Sequence, residues 1–565
     1  MHDDLRRYLV DPGPKPVHRG VKAAASTDSA IVTETILEVL ADGGNAADAA
    51  IAGCMVQAAV EPFMTNHTGT VTMLYWDSAS QQLHCLDSTG THPKGLAPFR
   101  PIPSGHGPYA AAVPPSACIP GFMPGMKAIH AKLATKPWAD LCAPAIRWAE
   151  SGHAVSSFEF EVTTWGGGFT TYFPSGRSFY LPEGRWITVG EIFRYPEMAR
   201  TLEQVAEHGP DWMITGGWGQ EFVRTANAMG WAITADHMEQ APPPRWVDAH
   251  RFAYGSYEVA SLAPPQLQGL LLDMTLGIVG HLDMASVEPM SAEHLYYMAS
   301  ALAIAARHYG YINDPNVFDV PVDVLSNDDW QRMQARLIRS KMPKRSMAEH
   351  VDLAGAAGLG GPMSLVAAGL PSTSSFPDQP SGSCELSIVD EHGNWCQMMN
   401  TLQSGGIPGM VIGGIPMVGS HATFGAGGSA IDTFLGEGIR MRSTIGNTMV
   451  FSDGAPVFQL GTPGNVHCTV PQVLSYWANH GMAPYEAASA PRLLPLQDNG
   501  TLVVEDRVPD ATQARLKDFG VTLRAVLPYD YHMGSFQMCF RDPETGELCT
   551  TADPRRCAVA DGLRD

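Results

Sequence analysis

The sequence lacks the features that mark disulfide scaffolds, zinc sites and nucleic-acid-binding proteins. Its ten cysteines are scattered along 565 residues without a CxxC pair or zinc-finger spacing, so we expect buried, reduced thiols, no bound metal and no cofactor. Charged residues make up only 16% of the chain, and its net charge is −21 without any cluster of lysine and arginine. Binding to nucleic acid or to an anionic membrane surface is therefore not expected, because both need such clusters.

Long apolar runs are also missing. No stretch approaches the roughly 20 apolar residues that cross a bilayer, and the first residues (MHDDLRR) contain no apolar signal segment. These absences predict a cytoplasmic protein. The chain is nevertheless 45% hydrophobic, which is enough to bury a large core in two to four domains or in one interlocked fold.

The most informative stretch spans residues 381–394 (SGSCELSIVDEHGN). Apolar residues within 386–389 predict a short buried strand, and residues 390–394 predict a hairpin turn, because Gly and Asn tolerate a positive φ. The preceding residues 371–382 are rich in Pro, Ser and Gly, which is typical of an exposed loop.

The step from Gly382 to Ser383 at this boundary is a place where a chain can cleave itself. The Ser383 hydroxyl would attack the carbonyl before it, and water would resolve the ester, leaving Ser383 as a new N-terminus. The free α-amine would then act as general base for the hydroxyl of the same residue, which is the N-terminal nucleophile arrangement. On this segment alone, a loop that simply enters a strand is the commoner interpretation.

Motifs elsewhere give the segment a context. The run SIVDEHGN from Ser387 is accompanied by GGNAADAA from Gly43, EP from Glu61, IPG from Ile119, GTPGN from Gly461, APR from Ala490, MGS from Met533 and DPR from Asp553. In this order, they resemble the motifs of the gamma-glutamyltranspeptidase family. The family's Ser-Val-Val-Asp-x-x-Gly-Asn is similar to the run from Ser387, and counting back from it places Ser383 where the family has its catalytic Thr.

The resemblance implies an α+β fold, the four-layer αββα sandwich of N-terminal nucleophile hydrolases. It implies a precursor that is cut between Gly382 and Ser383 into a large subunit, residues 1–382, and a small subunit, residues 383–565. These two subunits would interlock as one fold. A homo-oligomer of that heterodimer is compatible with the resemblance.

The resemblance also implies roles for residues around the nucleophile. Thr401 matches a threonine whose hydroxyl bonds the nucleophile. Gly464 and Asn465 match the positions whose backbone N–H groups form the oxyanion hole, where donors aimed at developing charge stabilise the transition state. The family's substrate-binding positions align with Gln403, Ser420, Thr423, Ser443 and Thr444.

Departures from the family pattern bear on the substrate. The family's carboxylate-binding arginine is missing near Pro98, where Arg100 is the nearby cation; an arginine is favoured there because its planar fork makes two parallel hydrogen bonds. Thr423 replaces an aspartate that would pair with a glutamyl ammonium. Residues 65–72 replace a glycine-rich run, so that His67 is either a substrate contact or a hydrogen-bonded structural histidine.

We therefore predict an amidohydrolase that cleaves a small-molecule amide, with a small or acyl group and water as acceptor, through an acyl-enzyme on Ser383. A glutathione-type gamma-glutamyl transferase or hydrolase is one alternative. A second has Cys384 as nucleophile, which would shift the strand register and reverse its faces. A third is an uncleaved, non-catalytic homologue that binds a small molecule or serves as a scaffold.

Hydrophobic periodicity adds coarse structural predictions. It indicates helices over residues 28–42 and 45–60 and a long amphipathic helix over residues 292–309. Aromatic residues are interleaved with glycines over residues 156–186, which is typical of a lid over an apolar substrate, of an oligomer contact or of a loosely packed surface.

Overall fold

A computed structural model describes residues 5–102, 116–165, 167–341, 383–402, 405–419, 437–443, 445–462, 466–497 and 499–564. Within these residues, two seven-stranded sheets pack against each other, and helices cover the outer face of each sheet. This is the four-layer αββα arrangement that the sequence predicts.

The strands of the described residues are numbered along the chain. They are β1 (His18–Arg19), β2 (Ala23–Thr27), β3 (Thr70–Asp77), β4 (Gln82–Ser88), β5 (His153–Ala154), β6 (Ile192–Phe193), β7 (Arg245–Val247), β8 (His250–Tyr254), β9 (Tyr257–Ser261), β10 (Cys384–Val389), β11 (Trp395–Thr401), β12 (Val411–Ile412), β13 (Ile415–Pro416), β14 (Thr448–Ser452), β15 (Ala455–Gly461), β16 (Thr501–Glu505), β17 (Thr522–Val526), β18 (Gln537–Arg541), β19 (Leu548–Ala552) and β20 (Val559–Leu563).

The α-helices of the described residues are numbered in the same way. They are α1 (Ala30–Ala41), α2 (Ala46–Val60), α3 (Phe122–Leu133), α4 (Trp138–Ser151), α5 (Ser157–Trp165), α6 (Gly167–Thr170), α7 (Pro174–Tyr180), α8 (Pro196–His208), α9 (Gly217–Ala228), α10 (Ala235–Glu239), α11 (Gln268–Gly280), α12 (Ala292–Ala306), α13 (Val322–Leu325), α14 (Asp328–Lys341), α15 (Val466–His480), α16 (Pro484–Ser489) and α17 (Asp510–Asp518).

The sheet that carries the predicted nucleophile has the strand order β20-β2-β10-β11-β3-β4-β7, and the second sheet has the order β1-β19-β18-β15-β14-β9-β8. Strand β10 lies between β2 and β11 and is antiparallel to both. The turn from β10 to β11 is closed by a bond from Asp390 N to Asn394 O of 3.1 Å, and Gly393 has a φ of 81°. The predicted strand and hairpin are therefore confirmed.

Alternation along β10 sorts its side chains between two cores, because successive residues of a strand point to opposite faces. Leu386 and Ile388 pack in the core beneath α1 and α2. Val389 packs between the sheets with Trp395 and Met399. A residue of β10 thus faces either the helix layer or the sheet interface, depending on whether its number is even or odd.

Helix α12 corrects one prediction. Its described bounds are Ala292–Ala306, and a 3₁₀ turn, Tyr309–Tyr311, follows it. The sequence predicted an amphipathic helix, but almost every residue of α12 is buried. The reason is tertiary: α11, α14, α15 and α17 all contact it, so no face is left for solvent.

The cysteines follow the prediction from their spacing. All ten are free, and all are buried except Cys557, which is half-buried. Among the described residues, no helix has both the length and the apolar character needed to span a bilayer.

Helix α2 starts at a hydrogen-bonded junction that explains part of the GGNAADAA motif. The Asn45 side chain accepts from Asp48 N at 2.9 Å, and Asp48 Oδ2 accepts from Asn45 N at 2.9 Å, which forms a capping box. The buried Asp48 carboxylate also accepts from the backbone N–H groups of Thr135 and Lys136, each at 2.9 Å. Asp48 therefore connects the start of α2 to the turn after α3.

Replacing Asp48 with alanine is expected to lower the free energy of unfolding by about 3 kcal/mol or more, because several buried N–H donors lose their acceptor at about 1–3 kcal/mol each. Equilibrium unfolding in urea measures the loss. The control is Asp42→Ala, since the Asp42 side chain is 83% exposed and exposed ion pairs such as the one with Lys136 contribute little to stability. Equal losses for the two variants would contradict the role given to Asp48.

Candidate active site

Ser383 lies directly before β10, at the edge of the described chain. It is 3% exposed, and its φ of 83° is in a region that non-glycine residues seldom adopt. Its carbonyl accepts a hydrogen bond of 3.0 Å from Arg556 Nη1. The Arg556 side chain is fully buried, and its Nη1 is 3.9 Å from Asp28 Oδ1. A buried guanidinium therefore holds the backbone of the predicted nucleophile.

Asp28 joins three strands at this point. It follows β2, accepts from Glu385 N of β10 at 3.1 Å, and accepts from Gln537 Nε2 of β18 at 2.9 Å. Burial raises the pKa of the Asp28 carboxyl to about 6, although Arg556 and the two hydrogen bonds act in the opposite direction. At neutral pH, Asp28 is thus the ionised partner of Arg556.

Glu61, of the EP motif, occupies the other side of β10. It ends α2, and its Oε2 accepts from Gln57 Nε2 at 2.9 Å and from the Cys384 thiol at 3.6 Å. Asn400 Nδ2 extends this network by donating to Gln57 Oε1 at 3.1 Å. Burial, followed by the nearby Asp28 carboxylate, raises the pKa of Glu61 to about 8.

Cys384, the alternative nucleophile, has a structural setting. It packs on the helix face of β10 with Phe63, Met64 and Phe158. Burial, together with Glu61 and Asp28, raises the pKa of its thiol well above the ordinary value. A buried thiol held in its neutral form is a poor nucleophile, because the thiolate is the reactive species.

Thr401 ends β11 next to the predicted nucleophile. The antiparallel register pairs Cys384 with Asn400, so continuing the ladder by one position sets Ser383 beside Thr401. Thr401 is fully buried. A side chain at Gly69 would place its Cβ 1.7 Å from the Thr401 carbonyl oxygen, so the absence of a side chain at residue 69 lets the loop after α2 close on this strand end.

Glu385 occupies the sheet interface and explains one glycine of the GTPGN motif. Its carboxyl contacts Gln397 Nε2, and burial raises its pKa well above the ordinary value. A Cβ at Gly461 would lie 1.2 Å from Glu385 Oε1. A side chain at residue 461 would therefore have to displace the Glu385 carboxyl group.

Ser443 lies at the far side of the site. Short β-bridges connect Gly406 to Cys118, Thr91 to Ile119, and Thr91 to Arg440, so that bridged segments link the chain after Thr401 to the chain before Ser443. Ser443 N donates to Gln266 Oε1 at 3.0 Å. Its buried hydroxyl has no hydrogen-bond partner within the part of the chain that the structure describes.

His67 and Arg100 are placed apart from these contacts. His67 is fully buried, its Nε2 is 3.0 Å from the Met55 carbonyl oxygen, and its ring packs edge-on against Phe122. Burial lowers the pKa of His67 to about 4, so the ring is neutral, and its buried Nδ1 has no hydrogen-bond partner among the described residues. Arg100 is half-buried. Burial, together with the positive charge of Arg100, lowers the pKa of His92 to about 4.

Aromatic residues from the 156–186 region surround the site on two sides. Phe158 of α5 packs against Phe63 and Tyr531, with ring centroids 6.0 and 5.1 Å away, and the Arg556 guanidinium lies 5.1 Å from the Phe158 ring centroid. Tyr172 and Phe173 pack near Leu402, the residue after Thr401, together with Ile102 and Val418. The region thus contributes to the surroundings of the nucleophile.

Several predicted residues lie outside the described residues, and the structure says nothing of them. They are Gly382, Gln403, Ser420, Thr423, Thr444, Gly464 and Asn465. Conversely, sequence reasoning gave no role to Asp28 or Arg556 and treated Glu61 only as part of a motif. The EP and DPRR runs contain two of these residues, Glu61 and Arg556, and could have indicated them. The charged residues of both runs are buried here rather than solvated. Among the described residues, no group of three or more His, Cys, Asp or Glu side chains could hold a metal ion.

Comparisons with known proteins agree with this arrangement. The family model for gamma-glutamyltranspeptidase matches residues 32–563. The chain is 24% identical to a glutathione hydrolase proenzyme of Bacillus subtilis, over 97% of this chain and 93% of the relative. It is also 24% identical to an acylase ACY 1 proenzyme of a Pseudomonas strain, over 96% and 95% of the two chains. The crystal structure of a cephalosporin acylase from Bacillus halodurans covers 98% of this chain and is itself 98% covered, with a TM-score of 0.79 at 21% identity, which shows the same fold.

The contact between Glu385 and Gly461 gives a test of the site's packing. Gly461→Ala is expected to destabilise the protein by about 1–3 kcal/mol, the usual range for overpacking, because its methyl group would overlap Glu385. The double variant Glu385→Ala/Gly461→Ala should lose less stability than the sum of the two single changes. Urea unfolding of the four proteins measures this coupling, and simple additivity would show that the two residues do not compete for space.

Proposed function

The chain belongs to the gamma-glutamyltranspeptidase family, and from that premise we propose that it is an autoprocessing hydrolase that cleaves small or acyl amides through an acyl-enzyme on Ser383. That it is an amide-bond hydrolase or acyltransferase follows from the family and from its glutathione hydrolase and acylase relatives. The observation that carries the finer proposal is the position of Ser383, beside Thr401 and with its carbonyl held by Arg556.

Processing would cut the peptide bond between Gly382 and Ser383. The relatives named above are proenzymes, which supports a single precursor that becomes two chains, residues 1–382 and 383–565. The positive φ of Ser383 supports it as well, because strained backbone conformations cluster at reactive positions. The Ser383 hydroxyl attacks the Gly382 carbonyl, the chain is transferred from nitrogen to oxygen, and water hydrolyses the ester.

Turnover would repeat the same chemistry on an external amide. The new α-amine of Ser383 accepts the proton of its own hydroxyl, the oxygen attacks the substrate carbonyl, and the amine then gives that proton to the leaving nitrogen. Water attacks the acyl-enzyme with the amine again as base. Thr401 would bond the nucleophile, and the backbone N–H groups of Gly464 and Asn465 would receive the oxyanion.

An acyl group that carries no α-amine fits the sequence better than a glutamyl group. Thr423 stands where an aspartate would pair with the glutamyl ammonium, and Pro98 stands where the family's carboxylate-binding arginine is expected, with Arg100 as the nearby cation. Polar substrate groups that lose their partners in a site cost binding free energy. The apolar residues beside Leu402, which include Tyr172 and Phe173, support an acyl group with apolar surface.

Replacing Ser383 with alanine is expected to leave one uncut chain and to abolish amide hydrolysis, because both reactions use the same oxygen. Intact mass under denaturing conditions and N-terminal sequencing measure the cut, and release of a chromogenic amine measures turnover. The matched variant Cys384→Ala should still be cut, with a fragment that begins at Ser383. A fragment that begins at residue 384 would instead assign the nucleophile to Cys384, and a wild-type chain that stays intact would favour a binding or scaffold role.

The substrate proposal is tested with anilides that differ only in the acyl group. For the purified protein, kcat/KM for a butyryl or phenylacetyl p-nitroanilide should exceed that for gamma-glutamyl p-nitroanilide by about tenfold or more, since a charged ammonium without its carboxylate partner is costly to desolvate. Glycylglycine added as acceptor separates acyl transfer from hydrolysis. Turnover that is faster for the gamma-glutamyl compound would identify a glutathione-type enzyme.

A further inference from the structure

Glu61 is a buried acid beside the predicted cleavage site. Its Oε2 lies 3.6 Å from the thiol of Cys384, the residue after Ser383. Both hydrogen bonds that the Glu61 side chain accepts from described residues go to this one oxygen. Oε1 is therefore the oxygen that can carry a proton.

The charges around Glu61 favour its neutral form. One guanidinium, that of Arg556, serves two buried carboxyl groups, and it is nearer to Asp28, with 3.9 Å between Nη1 and Oδ1. Asp28 also receives hydrogen bonds from Glu385 N and Gln537 Nε2, while Glu61 receives one from an amide and one from a weak thiol donor. When like charges compete for one cation in a buried site, the less solvated acid keeps its proton.

Cleavage at Ser383 needs a proton at this place. The Ser383 nitrogen enters the reaction as an amide that carries one hydrogen and leaves as an amine. When the hydroxyl oxygen bonds to the Gly382 carbonyl carbon and the C–N bond breaks, the nitrogen takes up the hydroxyl proton, and a second proton makes it an ammonium. Because the hydroxyl proton alone gives a neutral amine, the second proton is the one that a buried acid beside the nitrogen can supply.

We propose that Glu61 is the acid that protonates the departing Ser383 nitrogen during self-cleavage and that its carboxylate then pairs with the new ammonium. The balance is complete: the hydroxyl and Glu61 each give one proton, an ester replaces the amide, and the products are one ammonium and one carboxylate. The proposal rests on the proposed cleavage between Gly382 and Ser383.

Glu61 and the α-amine of Ser383 would also exchange a proton during turnover. The α-amine must be neutral to accept a proton from its own hydroxyl, and an ammonium that returns its proton to Glu61 becomes neutral without involving solvent. Burial raises the pKa of Glu61 to about 8, and an ordinary α-amine has a pKa of about 7.7–8.0. Two groups of matched pKa exchange a proton at almost no free-energy cost.

The decisive variant is Glu61→Gln, which keeps an acceptor oxygen for Gln57 and removes the acidic proton. The rate of self-cleavage, followed by intact mass on freshly refolded precursor, should fall about 10²–10⁴-fold, the usual contribution of a general acid. The control is Glu159→Gln, because Glu159 is a similarly buried carboxyl that is bonded to His153 at 2.8 Å. This control should be cut at the wild-type rate.

The pH profile is a readout that a merely structural role would not change. Because Glu61 must be protonated to act, the wild-type cleavage rate should fall as pH rises through about 8. This alkaline limb of the pH profile should be missing in Glu61→Gln. The titratable or charged groups around Glu61 are Asp28, Arg556, Cys384 and Cys557. Burial raises the pKa of both thiols, that of Cys557 to about 11, so neither produces this limb.

The outcomes are distinct. Slow cleavage of Glu61→Gln with loss of the limb, and partial recovery in Glu61→Asp, supports the proposal. Wild-type cleavage by Glu61→Gln, slow cleavage with an unchanged pH profile, or a wild-type rate that stays constant through pH 8 overturns it, and the last test does not depend on the folding of any variant. Failure of the wild-type chain to cut at Ser383 would refute the proposed function itself.

Discussion

A single buried guanidinium sets the geometry around the start of β10. Arg556 donates to the Ser383 carbonyl and lies close to Asp28, while Asp28 accepts from the backbone N–H of Glu385. A buried charge is costly unless it is paired and hydrogen-bonded, so each member of this group requires the others. The end of β2, the start of β10 and the chain before β20 meet here for that reason, and the arrangement fixes the backbone of Ser383.

Close backbone approach is the second constraint on the site. A Cβ at Gly69 or at Gly405 would lie 1.7 or 1.4 Å from a carbonyl oxygen of the neighbouring segment. The chain after α2 and the chain after Thr401 are therefore in direct backbone contact. The β-bridged segments that lead to Ser443 start from that contact. Glycine-rich stretches that in sequence look like loose loops act here as tight packing surfaces.

The sequence was informative where the cause is local. The strand and turn over residues 386–394 could be predicted because turn chemistry and an apolar run lie side by side, and the family motifs predicted the layer arrangement. The amphipathic pattern assigned to residues 292–309 was misleading, because burial of α12 depends on four helices from other parts of the chain. The charge cluster could not be predicted as a unit, since Asp28, Glu61 and Arg556 are far apart in the sequence, and the pKa values of the two carboxyl groups rise only when the fold buries them. For His67, the pattern left two roles open, and its contacts with Met55 and Phe122 come from parts of the fold that the local sequence does not reveal.

The strand order of the two sheets has a mechanical consequence. In one sheet β10 and β11 lie between β2 and β3, and in the other β14, β15, β18 and β19 lie between β9 and β1, so strands from before and after residue 383 are interleaved in both sheets. If the chain is cut at that position, the two fragments share both sheets. Neither fragment can leave without breaking β-ladders in each sheet. The fragments would then part only by global unfolding, and the cut could free a reactive terminus without loosening the molecule that holds it.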